Sequence, residues 1–197
     1  KAISSFEDPQ PEDKSSHYFE VRMIGVPEDS GLLEESSVWN YLAETAPVDF
    51  DSQKFSQAEK IREHFKENGY PIPCYRILRG SRKLSIYKLY SRSMSTGQQS
   101  RTKAKDFVRN VDFVSDTASD GKTLYVGWLA ITDFSGTISN ESVQGIRFRK
   151  GNILVGDNST FAKFFPLSAL EAARANKCFA GEIHVLHDGI IPNSRSD

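Results

Sequence analysis

The sequence predicts an α+β fold: a mixed β-sheet covered by helices in an αβα layered arrangement. Three observations carry this prediction. Two helical periods lie near the amino-terminal side, at about 37–45 and 56–68. From about residue 74 the apolar period changes to two and stays there through several consecutive segments. Two short helical stretches and one last strand then follow, an order that fits one sheet packed against helices.

The elements follow in order. Residues 1–16 read as a flexible lead-in and 17–197 as a single domain. Tyr18–Ile24 alternates Phe19, Val21 and Met23 against Glu20 and Arg22, which predicts a strand ended by Pro27–Gly31. A helix is predicted from Ser37 to Thr45, with Val38, Tyr41 and Leu42 on one face and Pro47 as its stop. A second runs from Ser56 to Asn68, with Ala58, Ile61, Arg62 and Phe65 inward, Ser56 as cap and Gly69 in the left-handed terminal position. Cys74–Leu78 and Lys83–Tyr90 flank Arg79-Gly80-Ser81-Arg82 as a hairpin. Ser91–Ser100 is polar and without apolar period, hence a mobile loop. Phe107–Val114, Thr123–Phe134, Val143–Lys150, Ile153–Val155 and Cys178–Leu186 read as strands, with turns at Asp120-Gly121 and Gly151-Asn152. Ser159–Phe165 and Ser168–Ala175 read as helical, and Asp188–Asp197 as a loop.

Composition narrows the function classes. The 197 residues carry a net charge of −1, so no global field drives the chain onto nucleic acid or an anionic membrane. No apolar run approaches the ~18 residues of a membrane span. The acidic, proline-containing start is unlike a signal peptide. Two cysteines, Cys74 and Cys178, predict reduced, buried thiols and a cytoplasmic location. The triplets Asn140-Glu-Ser142 and Asn158-Ser-Thr160 match a glycosylation acceptor but carry no weight in that compartment.

Charge is unevenly distributed. Residues 1–67 hold 15 acids and 7 bases, whereas 68–105 hold 9 bases and no acid. Arg76 and Arg82 on paired strands, with Arg92, Arg101 and Lys103, could meet phosphates, and Tyr75, Tyr87 and Tyr90 could stack on bases. Against this stands a solvated face, or a face docked on an acidic neighbour domain. The near-neutral whole-chain charge favours one of those over nucleic acid.

Other constellations are weaker. Gly121-Lys122-Thr123 resembles the end of a phosphate-binding loop, but position 116 is Asp where that loop needs Gly. His184, His187, Glu182, Asp188 and Cys178 lack metal-ligand spacing; Glu182 and His184 share a strand face, while His187 points away. A satisfied strand histidine is the simpler reading, and no metal site is expected. No G-x-S-x-G elbow supports a stand-alone hydrolase. The final Pro-Asn-x-Arg loop can present a guanidinium, whose planar fork suits an anion, though a polar tail is the plainer reading.

IRFRKGNILVGD (146–157) and FAGEIHVLHDGIIPNSRSD (179–197) resemble the middle domain of the ninety-kilodalton heat-shock chaperone family, above all bacterial chaperone-like ATP-binding proteins of the GHKL class. VWNYLAETAPVDFD (38–51) is similar to the helix following their ATPase domain, and HYFEVRMIGV (17–26) to the strand leading out of it. The resemblance implies an αβα transducer domain that answers nucleotide binding in a preceding ATPase domain. It implies that Arg195, in the loop with Asn193, reaches the terminal phosphate when the domains close. Relatives place Arg at the second of two adjacent loop positions; here that position is Ser196. The Glu/Asn helix, Asp-x-Gly-x-Gly turn and Gly-rich lid of a GHKL pocket are not in the 197 residues. The expectation is therefore a piece of a longer ATPase that binds no cofactor alone, with ATP and Mg held by the ATPase domain. Its implied partners are that domain, client proteins and a second copy in a full-length homodimer.

Overall fold

The computed structural model describes residues 24–79, 83–97, 106–134, 136–157 and 159–187. The chain divides into two units, 1–38 and 39–197. In the first, a 3-10 turn at Glu28–Ser30 ends on Gly31, whose φ of 69° only glycine adopts at little cost. Ser36 and Ser37 donate their hydroxyls to Glu34, which holds that carboxyl below its ordinary value. The strand expected at 18–24 lies outside the described residues except for Ile24, which is exposed and not in a strand.

α1 spans Glu35–Thr45 and α2 spans Ala58–Glu67. In α1 the inward face is Trp39, Leu42 and Ala43, which pack with Val48 and Ile86. The expected Tyr41 is 65% exposed, so the stripe is rotated by about one position. α2 buries Ala58, Ile61 and Phe65 as expected. Its cap is Gln57 without a side-chain bond, not Ser56. Its end is closed by Gly69 at φ 76° and by the Tyr70 amide donating to the Phe65 carbonyl.

The hairpin after Cys74 is much shorter than its sequence period. β1 is Leu78–Arg79 and β2 is Leu84–Ser85. Pairing stops there because Lys88 turns to a different partner, its amide donating to the Asp49 carbonyl at 2.9 Å. Of the mobile loop expected at Ser91–Ser100, residues 91–97 are instead tied into the fold, and 98–100 lie outside the described residues. Ser93 bridges Phe107, Thr96 bridges Ile138, and Met94 and Thr96 are buried. The Thr96 hydroxyl donates to Asp106 at 3.0 Å, which gives this polar stretch a tertiary reason to be ordered.

The main sheet contains β3 (Val108–Thr117), β4 (Thr123–Thr132), β5 (Gly145–Lys150), β6 (Ile153–Val155) and β7 (Ala180–Val185). Their spatial order is β3-β4-β7-β5-β6. All pairings are antiparallel except β5 with β7, so the sheet is mixed, as expected. The β5–β6 turn places Gly151 and Asn152 at φ 57° and 66°, the mirror-image turn that suits strand twist. A 3-10 turn at Thr160–Phe164 stands where a helix was expected, and α3 is Ala169–Asn176, opened by a Ser168/Glu171 capping box.

One sheet face meets α2. Phe65 and Ile61 join Val126, Trp128, Phe50, Phe55 and Tyr90 in the principal core. Phe50, Phe55, Tyr90 and Trp128 sit with ring centroids 5.0–6.0 Å apart. On the other face Phe161 and Phe164 cover Phe148 of β5. No helix among the described residues is long and apolar enough to cross a membrane.

Candidate functional site

The alternation of β5 and β7 sets up an unusual interior. In IRFRK, Ile146 and Phe148 take one face and Arg147 and Arg149 the other. In GEIHV, Ile183 and Val185 lie opposite Glu182 and His184. The parallel register pairs Arg147 with Glu182 and Arg149 with His184, on the face toward α2. All four side chains are at most 2% exposed.

Charge pairing makes that burial tolerable. Lys88 Nζ donates to Glu182 Oε2 at 2.6 Å and Arg149 Nε to Oε1 at 2.5 Å. Arg149 also donates to the Asn152 carbonyl at 3.0 Å and the Glu44 carbonyl at 2.9 Å. Arg147 donates to the Glu44 carboxylate at 2.6 Å and to the Gln144 and Glu141 carbonyls. Asn152 Nδ2 donates to the carbonyls of Val48 and Pro73. One network thus ties the end of α1, the segments around 48 and 88, and the middle of the sheet. Buried ions without such partners would cost several kcal/mol each.

The electrostatics follow from burial and sign. Burial pushes the Glu182 carboxyl up, but Arg149 and Lys88 outweigh it and hold it well below its ordinary value. Burial and the neighbouring Arg149 charge pull Lys88 down to about 8 against the attraction of Glu182. Burial pulls His184 down to about 4, so near neutrality it is uncharged. Its Nε2, assigned the proton, then donates to Glu182 at 3.3 Å, and its Nδ1 has no hydrogen-bond partner among the described residues. The inner cluster of Lys88, Arg149 and Glu182 carries one net positive charge. Its side chains are closed to solvent, so it supports structure rather than direct contact with substrate.

The sequence-selected residues fall elsewhere. Arg195 and Asn193 lie outside the described residues, as do Arg82, Arg101 and Lys103. Arg76 is exposed and donates to Ser85 Oγ at 3.3 Å. Arg92 is exposed with its guanidinium 5.9 Å from the Phe107 ring centroid. Of the tyrosines proposed to stack on bases, Tyr75 and Tyr87 are exposed. Tyr90 is buried, with its hydroxyl 3.5 Å from the Gly181 carbonyl. Lys88, counted among the nine bases of the acid-free stretch, belongs to the core. A cavity of about 360 Å³ next to that stretch is lined by Lys54, Arg79, Ser85, Ser91, Trp39 and Tyr87, among others.

Both cysteines are free thiols and, against expectation, exposed. Cys74 Sγ nonetheless turns inward toward Asn152 Nδ2 at 3.6 Å. Burial of the sulfur, then the Asp49 charge, pushes the thiol up to about 11. Among the described residues no group of three His, Cys, Asp or Glu side chains has metal-binding geometry.

Sequence reasoning placed Glu182 and His184 together but missed Lys88 and Arg149. The available signal was the pair of alternating strands with opposite charge, IRFRK and GEIHV. A scan of protein-family models and searches of curated proteins and solved structures find no match to this chain.

Proposed function

We propose that this chain is a non-catalytic coupling domain of a chaperone-like ATPase of the GHKL class, layered as in the middle domain of the ninety-kilodalton heat-shock chaperones. The observation that carries the reading is the buried Lys88–Glu182–Arg149 network. It joins α1 to β5 and β7, and β7 precedes residues 188–197 in the chain. Sliding any one element would unpair a buried ion, so these elements move as one body. A transducer needs that stiffness: displacement at one end must arrive undiminished at the other.

In this reading the chain supplies no nucleotide pocket. ATP and Mg belong to a separate ATPase domain, and Arg195 is brought to the terminal phosphate when the domains close. The guanidinium offsets charge that develops as the phosphoryl group leaves, with Asn193 beside it in sequence. The domain's partners are that ATPase domain, client proteins and, in the full-length chain, a second copy. Hydrogen exchange of the full-length polypeptide tests this. A non-hydrolysable ATP analogue should slow exchange of residues 188–197; unchanged exchange there contradicts the proposal.

A second reading starts from the cavity beside Arg79, which Asp51 and its ion-pair partner Lys54 also line. In it, the acid-free stretch 68–105 binds an anionic partner, nucleic acid or an acidic protein. Binding of single-stranded nucleic acid or an acidic peptide that weakens steeply with salt would support it. A flat salt response would remove it.

A further inference from the structure

Among the described residues, the sheet face turned away from α2 is only half covered. Phe161 and Phe164 lie over Phe148, but over β3, β4 and β7 a cavity of about 630 Å³ stays open. Its floor is Val114, Leu129, Ile183 and Val185. Two glycines make that floor smooth. A Cβ at Gly127 would lie 2.7 Å from the Glu182 carbonyl oxygen and 3.0–3.1 Å from Val114 and Ile183. At Gly181 it would meet the Trp128 carbonyl and lie 2.9 Å from Leu129 Cδ2. The neighbouring aliphatic chains therefore spread across both positions, leaving no knob between strands. From Leu124 to Leu129 the trough runs roughly 17 Å, the length of about 11 helical residues.

The rim specifies what fits. Asp112 and Asp116 alternate with Val114 along β3, the edge strand, and so lie on the same face. Both are exposed, and neither has a cationic partner among the described residues. On the opposite wall, Lys163 of the 3-10 turn is exposed. An apolar floor with one acidic rim complements a helix with one apolar stripe and basic residues along one flank.

We propose that this trough docks an amphipathic helix of a partner, its apolar stripe on Leu129 and Ile183 and its basic flank against Asp112 and Asp116. The proposal does not rest on the transducer reading. The test uses two fluorescein-labelled helical peptides of about 18 residues with the same leucine stripe. One carries Lys along one flank, the other Glu, and both carry Gln on the remaining flank. Anisotropy with the full chain at low salt should show the Lys peptide binding at least tenfold tighter. The double variant Asp112→Lys/Asp116→Lys, which changes only exposed side chains, should reverse that preference. Methyl NMR should show Val114, Leu129, Ile183 and Val185 shifting on binding. Equal affinities, or shifts confined to other residues, overturn the proposal. So does dimerisation of the chain that Phe164→Ser abolishes, which makes the face a self-interface. Stoichiometric uptake of an octyl detergent with no peptide binding also overturns it.

Discussion

Lys88 Nζ and Glu182 Oε2 lie 2.6 Å apart, both side chains at most 1% exposed, across 94 residues of sequence. Glu182 takes Arg149 on its other oxygen. One carboxylate therefore serves two cations, and the two sides of the network are not equivalent. Glu182→Gln leaves Lys88 and Arg149 facing each other in the core and should cost about 3–5 kcal/mol. Lys88→Met leaves an intact Arg149–Glu182 pair and should cost less than half as much. Urea unfolding of both variants checks the order; equal losses would contradict it.

Acid should loosen the same network. His184 is held at about 4 in the fold against an ordinary value near 6.5. The unfolded chain therefore takes up a proton first as pH falls, and stability drops between about 6.5 and 4, by roughly 3 kcal/mol at most. Glu182, held well below its ordinary value, acts in the same direction from about pH 4.5 downward. His184→Phe should remove most of the slope above pH 4.5, the remainder belonging to His64, which burial also holds below its ordinary value. Denaturation midpoints measured from pH 7 to 4 read it directly; an unchanged slope contradicts the assignment.

Gly181 faces the Trp128 carbonyl so closely that a methyl group cannot enter without moving β4 from β7. Gly181→Ala should therefore lower stability by about 2 kcal/mol or more, although alanine is no worse than glycine in strand propensity. Thermal unfolding checks it.

Cys74 is an exposed residue with a reluctant thiol, raised to about 11. At pH 8 its thiolate population should be about a hundredfold below that of a thiol at its ordinary value of 9. Alkylation of Cys74 with iodoacetamide, followed by mass spectrometry, should be correspondingly slow. Labelling at the rate of a free peptide thiol would contradict the inward placement of its sulfur.

The parts legible in the sequence were those fixed locally. The 3.6 period of Ala58, Ile61 and Phe65 and the period of two in β3 to β7 translate directly into elements. Gly69 and Gly151-Asn152 declare turns that need positive φ. What escaped was decided by distant partners. Ser91–Gly97 is polar, so nothing local announces its bonds to Asp106 and Thr137. The hairpin after Cys74 is cut short because Lys88 leaves it for Asp49 and Glu182. The charged faces of β5 and β7 show a buried partnership only when their opposite signs are set side by side. Lys88 was hidden for the same reason, since an acid-free stretch suggests an outward basic surface unless the acid it serves lies elsewhere in the chain.

In the proposed function this domain contributes the Arg195 guanidinium to nucleotide held by another domain. Steady-state ATP turnover and nucleotide affinity of the full-length polypeptide, wild type against Arg195→Ala, test it most directly. Turnover at least tenfold lower with affinity unchanged within about twofold is the result expected of a group that acts on developing charge. Unaltered turnover, or loss of affinity alone, would contradict it.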